Sequence, residues 1–402
     1  GARADTQAGS RSRARFFRKR GGGRTGRIRL AGVMLVEAEA SALVLESTRE
    51  HARRILVELA TSAGESVTDW IDGARYHADE GLGGTADATG LRRAFFDRHG
   101  FVVVRGFAGV AECEKMIAEM TKLATERWHP ERAAVFRTDS EQADTTTDYF
   151  LRSAEGVSFF AETEAVDGNG ALLESVTKVE ALNKAGHGLH NEPGVFFDYS
   201  RSERVARLVR GLGWEAPVLP QSMYIFKQAG IGGEVTSHQD STFLHTTPRE
   251  TCLGLWLALH PATLTNGCLW VRPGSHREPV RRLFERNPAY FDASSDKAGA
   301  EHAPNPMLFR SLGDDTAVSW EGGVPGNGSI GALLAAGFVP VEVGRGDLVV
   351  FPGTLDHLSL ANTSDSARHT FQLHLIEGPE AGVTWGSANW LQYPDGKPFP
   401  RL

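Results

Sequence analysis

Apolar positions recur at helical spacing through much of the first 130 residues and switch to short alternating runs beyond about residue 218. Ser47–Ala63 carries a helical rhythm with few breakers, and a Gly-rich turn at Gly81–Gly84 follows. A second helix is expected over Leu91–His99. It runs into Gly100 and the strand signal Phe101-Val102-Val103-Val104. Ala111–Arg127 predicts another helix, whereas residues 130–180 are polar and mixed and predict few elements. Farther on, β-branched and aromatic runs occupy Gln221–Gln228, Cys252–Leu259, Cys268–Arg272, Asp347–Phe351 and His369–Ile376. Turn signals such as Asn266-Gly267, Pro273-Gly274 and Pro352-Gly353 separate them. That spacing predicts a mainly β fold with flanking helices, built as an antiparallel sandwich or barrel. No internal repeat is visible.

Composition narrows the class. The 402 residues are 41% hydrophobic and 23% charged, as in a soluble globular chain, and no apolar stretch is long enough to span a membrane. Cys113, Cys252 and Cys268 are too few for a disulfide framework and suit a reducing compartment. The net charge of −7 is uneven: residues 1–30 hold ten Lys/Arg against Asp5 alone, which leaves −16 on the other 372. An acidic body argues against nucleic acid as its main partner. Residues 1–33, rich in Arg, Gly and Ser, are expected to be disordered. Such a leader fits a transit peptide, a basic arm, or untranslated or vector-derived sequence ahead of Met34. A cytoplasmic location is expected, with organelle targeting by the leader as the other option. The C-terminal Pro400-Arg401-Leu402 matches a peroxisomal signal poorly. The sequence gives no oligomeric state.

The chemistry concentrates in Thr236-Ser237-His238-Gln239-Asp240. In an extended strand, residues two apart share a face, so His238 and Asp240 project into one cavity. His357, 117 residues beyond the acid and just after the turn Pro352-Gly353, is the best third ligand. Two His and one carboxylate on one face of an octahedron leave three positions open, as in non-heme Fe(II) oxygenases. The pattern alone is weak, because His77-Ala78-Asp79 and His190-Asn191-Glu192 also match it. The first reads as a solvated face and the second as a loop. The other reading of His238 is an ordinary surface or core histidine.

Arg368 stands eleven residues after His357 and opens the run Arg368–Leu375. Period-two alternation puts Arg368, Thr370, Gln372 and His374 on one face, and His369, Phe371, Leu373 and Leu375 on the other. A planar cation facing a cavity suits a carboxylate; the other reading is an arginine at a strand end facing water.

These residues resemble the phytanoyl-CoA dioxygenase family. The match rests on His238/Asp240, His357 and Arg368, and on the long run Asn266-Gly267-Cys268-Leu269-Trp270-Val271-Arg272-Pro273-Gly274-Ser275-His276. Gln221–Gln228, Ala181–Lys184 and the tail from Thr384-Trp385 to Gln392 extend it over roughly Leu91 to Leu402. The resemblance implies a double-stranded β-helix (jelly-roll, cupin-like) core in residues 91–402, and the helical rhythm ahead of it predicts a helical extension over 34–90. It implies Fe(II), 2-oxoglutarate and O2, with ascorbate as reductant, and hydroxylation of a small organic or acyl substrate with release of succinate and CO2. Matched by motif, Lys184, Met223, Trp256 and Arg368 are expected at the co-substrate site beside the metal ligands. Read without the family, Met223 and Trp256 are equally well core residues. Lys184, ahead of Ala185-Gly186-His187, reads as a surface lysine in a loop. His276 reads as structural, holding its turn. Asp240 keeps the carboxylate that a halogenating site would lack.

This chain departs from the family in its leader, in the acidic, Ala-rich Ser153–Ser175 and in the Gly-rich Gly322–Gly331. The last two are expected near the substrate entrance. Gly326-Asn327-Gly328-Ser329-Ile330-Gly331 matches a dinucleotide fingerprint, but Pro325 before it and Gly337 and Pro340 after it deny it the strand and long helix it needs. A cupin-like non-oxygenase would keep the triad without needing Arg368. A non-catalytic 2-oxoglutarate sensor would not need an intact triad. A nucleic-acid-directed oxygenase rests on the leader alone.

Overall fold

The computed structural model describes residues 42–55, 86–129, 134–135, 148–167, 171–291, 304–313 and 330–402. The expected leader, the turn at Gly81–Gly84, most of the Gly-rich insert and the part of the Ser47–Ala63 helix beyond residue 55 lie outside them. The chain divides into two units, residues 1–50 and 51–402. In the first, residues 42–50 are helical, with Thr48 Oγ1 donating to Val44 O at 2.7 Å. The second carries the sheets.

Its strands are β1 (Val102–Val104), β2 (Ala134–Val135), β3 (Val157–Ala161), β4 (Leu182–His187), β5 (Pro217–Ile225), β6 (Val235–His238), β7 (Thr246–Thr247), β8 (Leu253–Ala258), β9 (Leu269–Val271), β10 (Arg282–Arg286), β11 (Met307–Ser311), β12 (Val339–Val341), β13 (Leu348–Pro352), β14 (His357–Ser359), β15 (Thr370–Glu377) and β16 (Thr384–Trp385). Eight form one sheet in the order β1-β13-β8-β15-β5-β4-β3-β2, and four form another in the order β12-β9-β14-β6. Apart from the short β2–β3 pair, the pairing is antiparallel. The two sheets enclose a cavity lined from both sides, which is the double-stranded β-helix.

Alternation decides which way each strand faces. On β15, Phe371, Leu373 and Leu375 join Leu253, Leu255 and Leu257 of β8 in the main core. That core lies on the outer face of the large sheet. Helices α1 (Ala86–His99), α2 (Val110–Arg127), α4 (Val195–Ser200) and α5 (Glu203–Gly211) cover it with Phe96, Met116, Met120, Phe196, Tyr199 and Leu208. Burying one such side chain contributes roughly 1.5–3 kcal/mol. The intervening residues of β15 and β8 are free to face the cavity.

The helix α1 starts earlier than the expected Leu91, and α2 matches its expectation closely. Residues 130–180 are richer in structure than their polarity suggests. They hold the short helix α3 (Asp148–Arg152) and β3, which pairs with β4. Its Phe159 and Phe160 face opposite ways and are both buried, a pattern that mixed polarity conceals. No helix among the described residues is long and apolar enough to cross a membrane.

Candidate metal centre and co-substrate cavity

A cavity of about 340 Å³ opens between the sheets. His238 ends β6 and His357 begins β14, and the two are direct cross-strand partners. Their rings lie 4.2 Å apart. Asp240 opens the turn after β6, and its Oδ1 is 3.5 Å from His238 Nε2 and 3.6 Å from His357 Nε2. One ligand atom from each of the three falls within 4.8 Å of the others. The other match patterns do not join them. His190 lies in a one-turn helix rather than an open loop, buried against Ser222 Oγ and Leu219 O. His77 and Asp79 lie outside the described residues.

Backbone carbonyls set the tautomers. His238 Nδ1 lies 2.8 Å from Thr236 O and His357 Nδ1 lies 3.0 Å from Leu355 O. A carbonyl only accepts, so both Nδ1 atoms carry hydrogen and both Nε2 lone pairs point inward. Burial, then neighbouring His238, holds His357 down to about 4, so its ring is neutral at neutral pH. Burial alone would raise the Asp240 carboxyl. The neighbouring His357 and His374, with a hydrogen bond from His374, outweigh it and hold the group well below the usual carboxylate range. Two imidazoles and one carboxylate fit a divalent metal that retains open positions.

The segment around Pro273-Gly274 anchors the turn that delivers His357. Asp356, fully buried, accepts from Arg272 Nε at 3.1 Å and from Arg281 Nη1 at 3.1 Å. Its backbone N–H donates to Ser275 Oγ at 3.0 Å. Gln239, between two ligands, donates to Thr354 O at 2.9 Å in the same turn. His276 does not line the cavity; its Nε2 meets Asp97 O of α1 at 3.0 Å, which agrees with a structural role.

Arg368 faces the cavity and is 2% exposed. Its Nη1 donates to Thr370 Oγ1 at 3.2 Å, its guanidinium stands 5.1 Å from the Trp256 ring, and Nε finds no hydrogen-bond partner among the described residues. Burial lowers it only to about 10, so it remains a cation. A buried cation with an unused donor fits a ligand carboxylate. Lys227, fully buried and lowered to about 7 by burial and by Arg368, lines the same cavity, as does Glu162, raised by burial.

Met223 and Trp256 both line the cavity. The surface reading of Lys184 is overturned. It sits within β4, 1% exposed, with Nζ 3.1 Å from His187 Nε2. His187 Nδ1 meets Ser153 Oγ at 2.7 Å, and Phe150 and Phe160 pack around the lysine. A lysine in a short polar run beside glycine carries no periodic signal of burial, so the sequence conceals it. His187 and Gln221 also line the cavity, although no motif marks either as a site residue. His374, on the expected face of β15, meets Asp240 Oδ2 at 3.1 Å. Apolar walls come from Phe150, Phe243, Leu244 and Trp390. From the acidic Ser153–Ser175 stretch, Glu162, Thr163 and Glu164 reach the lining.

The sequence profile described as Phytanoyl-CoA dioxygenase (PhyH) matches residues 96–370, from the end of α1 to the start of β15, with all three triad residues and Arg368 inside. The chain belongs to the phytanoyl-CoA dioxygenase family. Phytanoyl-CoA dioxygenase domain-containing protein 1 of Bos taurus is 38% identical over 311 residues, 76% of this chain and 96% of its own length. Phytanoyl-CoA dioxygenase of Arabidopsis thaliana is 35% identical over 311 residues, 77% of this chain and 96% of its own. Among solved structures, the epimerase SnoN in complex with Fe3+, alpha ketoglutarate and nogalamycin RO is similar at a TM-score of 0.48 and 15% identity, over 78% of this chain and 93% of that one. As a member of the phytanoyl-CoA dioxygenase family this protein is of the oxygenase class.

Proposed function

We propose that this protein is an Fe(II)- and 2-oxoglutarate-dependent oxygenase that hydroxylates a small organic or acyl substrate, acyl-CoA thioesters being one candidate class. The observation that carries the reading is that His238 Nε2, Asp240 Oδ1 and His357 Nε2 converge in the cavity that Arg368 faces. His238, Asp240 and His357 would hold the iron. An iron held there, with 2-oxoglutarate and O2, would supply the oxidising chemistry and leave succinate and CO2 as co-products.

The chain's own residues have separate tasks. Arg368 binds the far carboxylate of 2-oxoglutarate, which pairs its cation and uses its idle Nε. The Trp256 ring, 5.1 Å from the guanidinium, adds a cation–π contact that helps hold it in place. Lys184 and Met223 border the co-substrate. Phe150, Phe243 and Trp390 exclude water and offer an apolar wall to the substrate. A cupin-like non-oxygenase leaves a buried arginine facing the cavity without a task.

The test follows succinate formation by purified protein under Fe(II), ascorbate and O2, beside Asp240→Ala and Arg368→Ala. Iron-dependent turnover abolished by Asp240→Ala is expected. If no succinate forms, binding of 2-oxoglutarate to the Mn(II) form decides, because turnover can require the substrate. Absence of both turnover and binding would sink the oxygenase reading.

A further inference from the structure

Asp240 has two oxygens, and they have different neighbours. Oδ1 faces His238 Nε2 and His357 Nε2, at 3.5 and 3.6 Å. Oδ2 lies 3.1 Å from His374 Nε2. The other ring nitrogen, His374 Nδ1, is 3.3 Å from Gln221 Nε2. An amide nitrogen donates and does not accept, so Nδ1 is the acceptor and the ring proton sits on Nε2, aimed at Oδ2.

The sheet enforces this chain of contacts. Gln221 and His374 are direct partners across β5 and β15, and Gly254 is the partner of His374 on β8. A Cβ at Gly254 would stand 3.3 Å from Asp240 Oδ2 and 3.0 Å from the Phe351 ring. Glycine there keeps room for the carboxylate. Three adjacent strands thus supply a donor, a relay and a gap around one oxygen.

We propose that His374 is a positioning residue that reserves Oδ2 and so makes Asp240 a single-oxygen ligand through Oδ1, with Gln221 fixing the tautomer that allows it. The proposal rests on the metal reading above and deepens it. An ion held there by three protein atoms would keep positions for the 2-oxo acid and oxygen. A carboxylate free to swing would chelate through both oxygens and take one of those positions. Partners that orient a metal ligand in this way typically matter about 10- to 100-fold in metal affinity.

The experiment is an anaerobic titration of the full chain with Co(II), standing in for Fe(II). Affinity is measured by calorimetry and coordination by the visible Co(II) spectrum, before and after 2-oxoglutarate. The variants are Asp240→Ala, His374→Phe, His374→Gln and Gln221→Leu. His374→Phe is expected to weaken Co(II) binding about 10- to 100-fold and to change the spectrum, while the metal-free protein melts near the parent temperature. His374→Gln, whose amide can donate to Oδ2, is expected to recover most of the affinity and the parent spectrum. Gln221→Leu is expected to lose several-fold. Parent affinity and spectrum in His374→Phe overturn the proposal. If that variant does not fold, Gln221→Leu decides: a parent-like titration overturns the proposal and a several-fold loss supports it. Failure of the parent to bind Co(II), or unaltered binding by Asp240→Ala, would instead remove the metal reading itself.

Discussion

Asp240 and Arg368 face the same cavity, yet their removal predicts separable losses. Asp240→Ala should abolish metal binding and turnover together. Arg368→Ala should bind metal as the parent does and weaken 2-oxoglutarate roughly 10- to 100-fold, the worth of a charge-assisted hydrogen bond. Titrating 2-oxoglutarate into the Mn(II) form checks this. Equal 2-oxoglutarate affinity in Arg368→Ala would return the arginine to a structural role. Both residues are legible in the sequence because a two-residue period ties Asp240 to His238 and Arg368 to Thr370, although Asp240 opens the turn after β6 and Arg368 stands just ahead of β15. His374 obeys the same period and is on the expected face. What the period cannot give is its partner, because Asp240 is 134 positions away and no local spacing connects them. Lys184 is illegible for a different reason: its burial comes from Phe150 and Phe160, on other elements of the chain.

At the scale of elements, the turn between β13 and β14 carries a testable load. Asp356 is the shared acceptor of Arg272 and Arg281, and it immediately precedes His357. Removing a buried carboxylate that pairs two arginines typically costs up to about 3–5 kcal/mol where nothing replaces it, and here Glu278 still meets both Arg272 and Arg281. Asp356→Ala is therefore expected to lower unfolding stability by about 2–3 kcal/mol, at the low end of that range or just below it, with chemical denaturation as the measurement. A change under about 1 kcal/mol would mean that Glu278 and solvent together compensate the arginines. The run from Asn266 to His276 is recognisable as a sequence motif, but its physical purpose appears only when β9 is seen beside β14. The strands β5, β8, β9, β13 and β15 are readable because turn residues bracket them, whereas β10, β11 and β12 fall outside the expected runs. Nor is the strand β3 readable, since its flanks are polar and its neighbour β2 is only two residues long.

For the whole molecule, acid is the expected weakness. Burial holds His190 at about 3, against an ordinary value near 6.5. Between those values the unfolded chain binds the extra proton, so stability rises with pH across the window. The contribution is complete above about pH 6.5 and is lost as pH falls. At pH 5 one such histidine accounts for roughly 2 kcal/mol. His369 is also near 3 through burial and adds to the same slope. Melting of the metal-free protein between pH 7.5 and 5 should show a steep fall, and His190→Gln should flatten it while lowering stability at pH 7.5. An unchanged slope in that variant would clear His190 of the effect.

The strand β6 is the outermost member of its sheet and meets β14 through two registered pairs, His238 with His357 and Val235 with Ser359, with an irregularity between them. The first of these pairs supplies two of the three candidate ligands. An ion bound by both is then a stitch across an otherwise loosely sewn seam, and its binding energy adds to the stability of the fold by mass action. Chelation should accelerate amide hydrogen exchange in β6 ahead of the large sheet, so the enzyme would carry in its exchange pattern a record of whether its ion is in place.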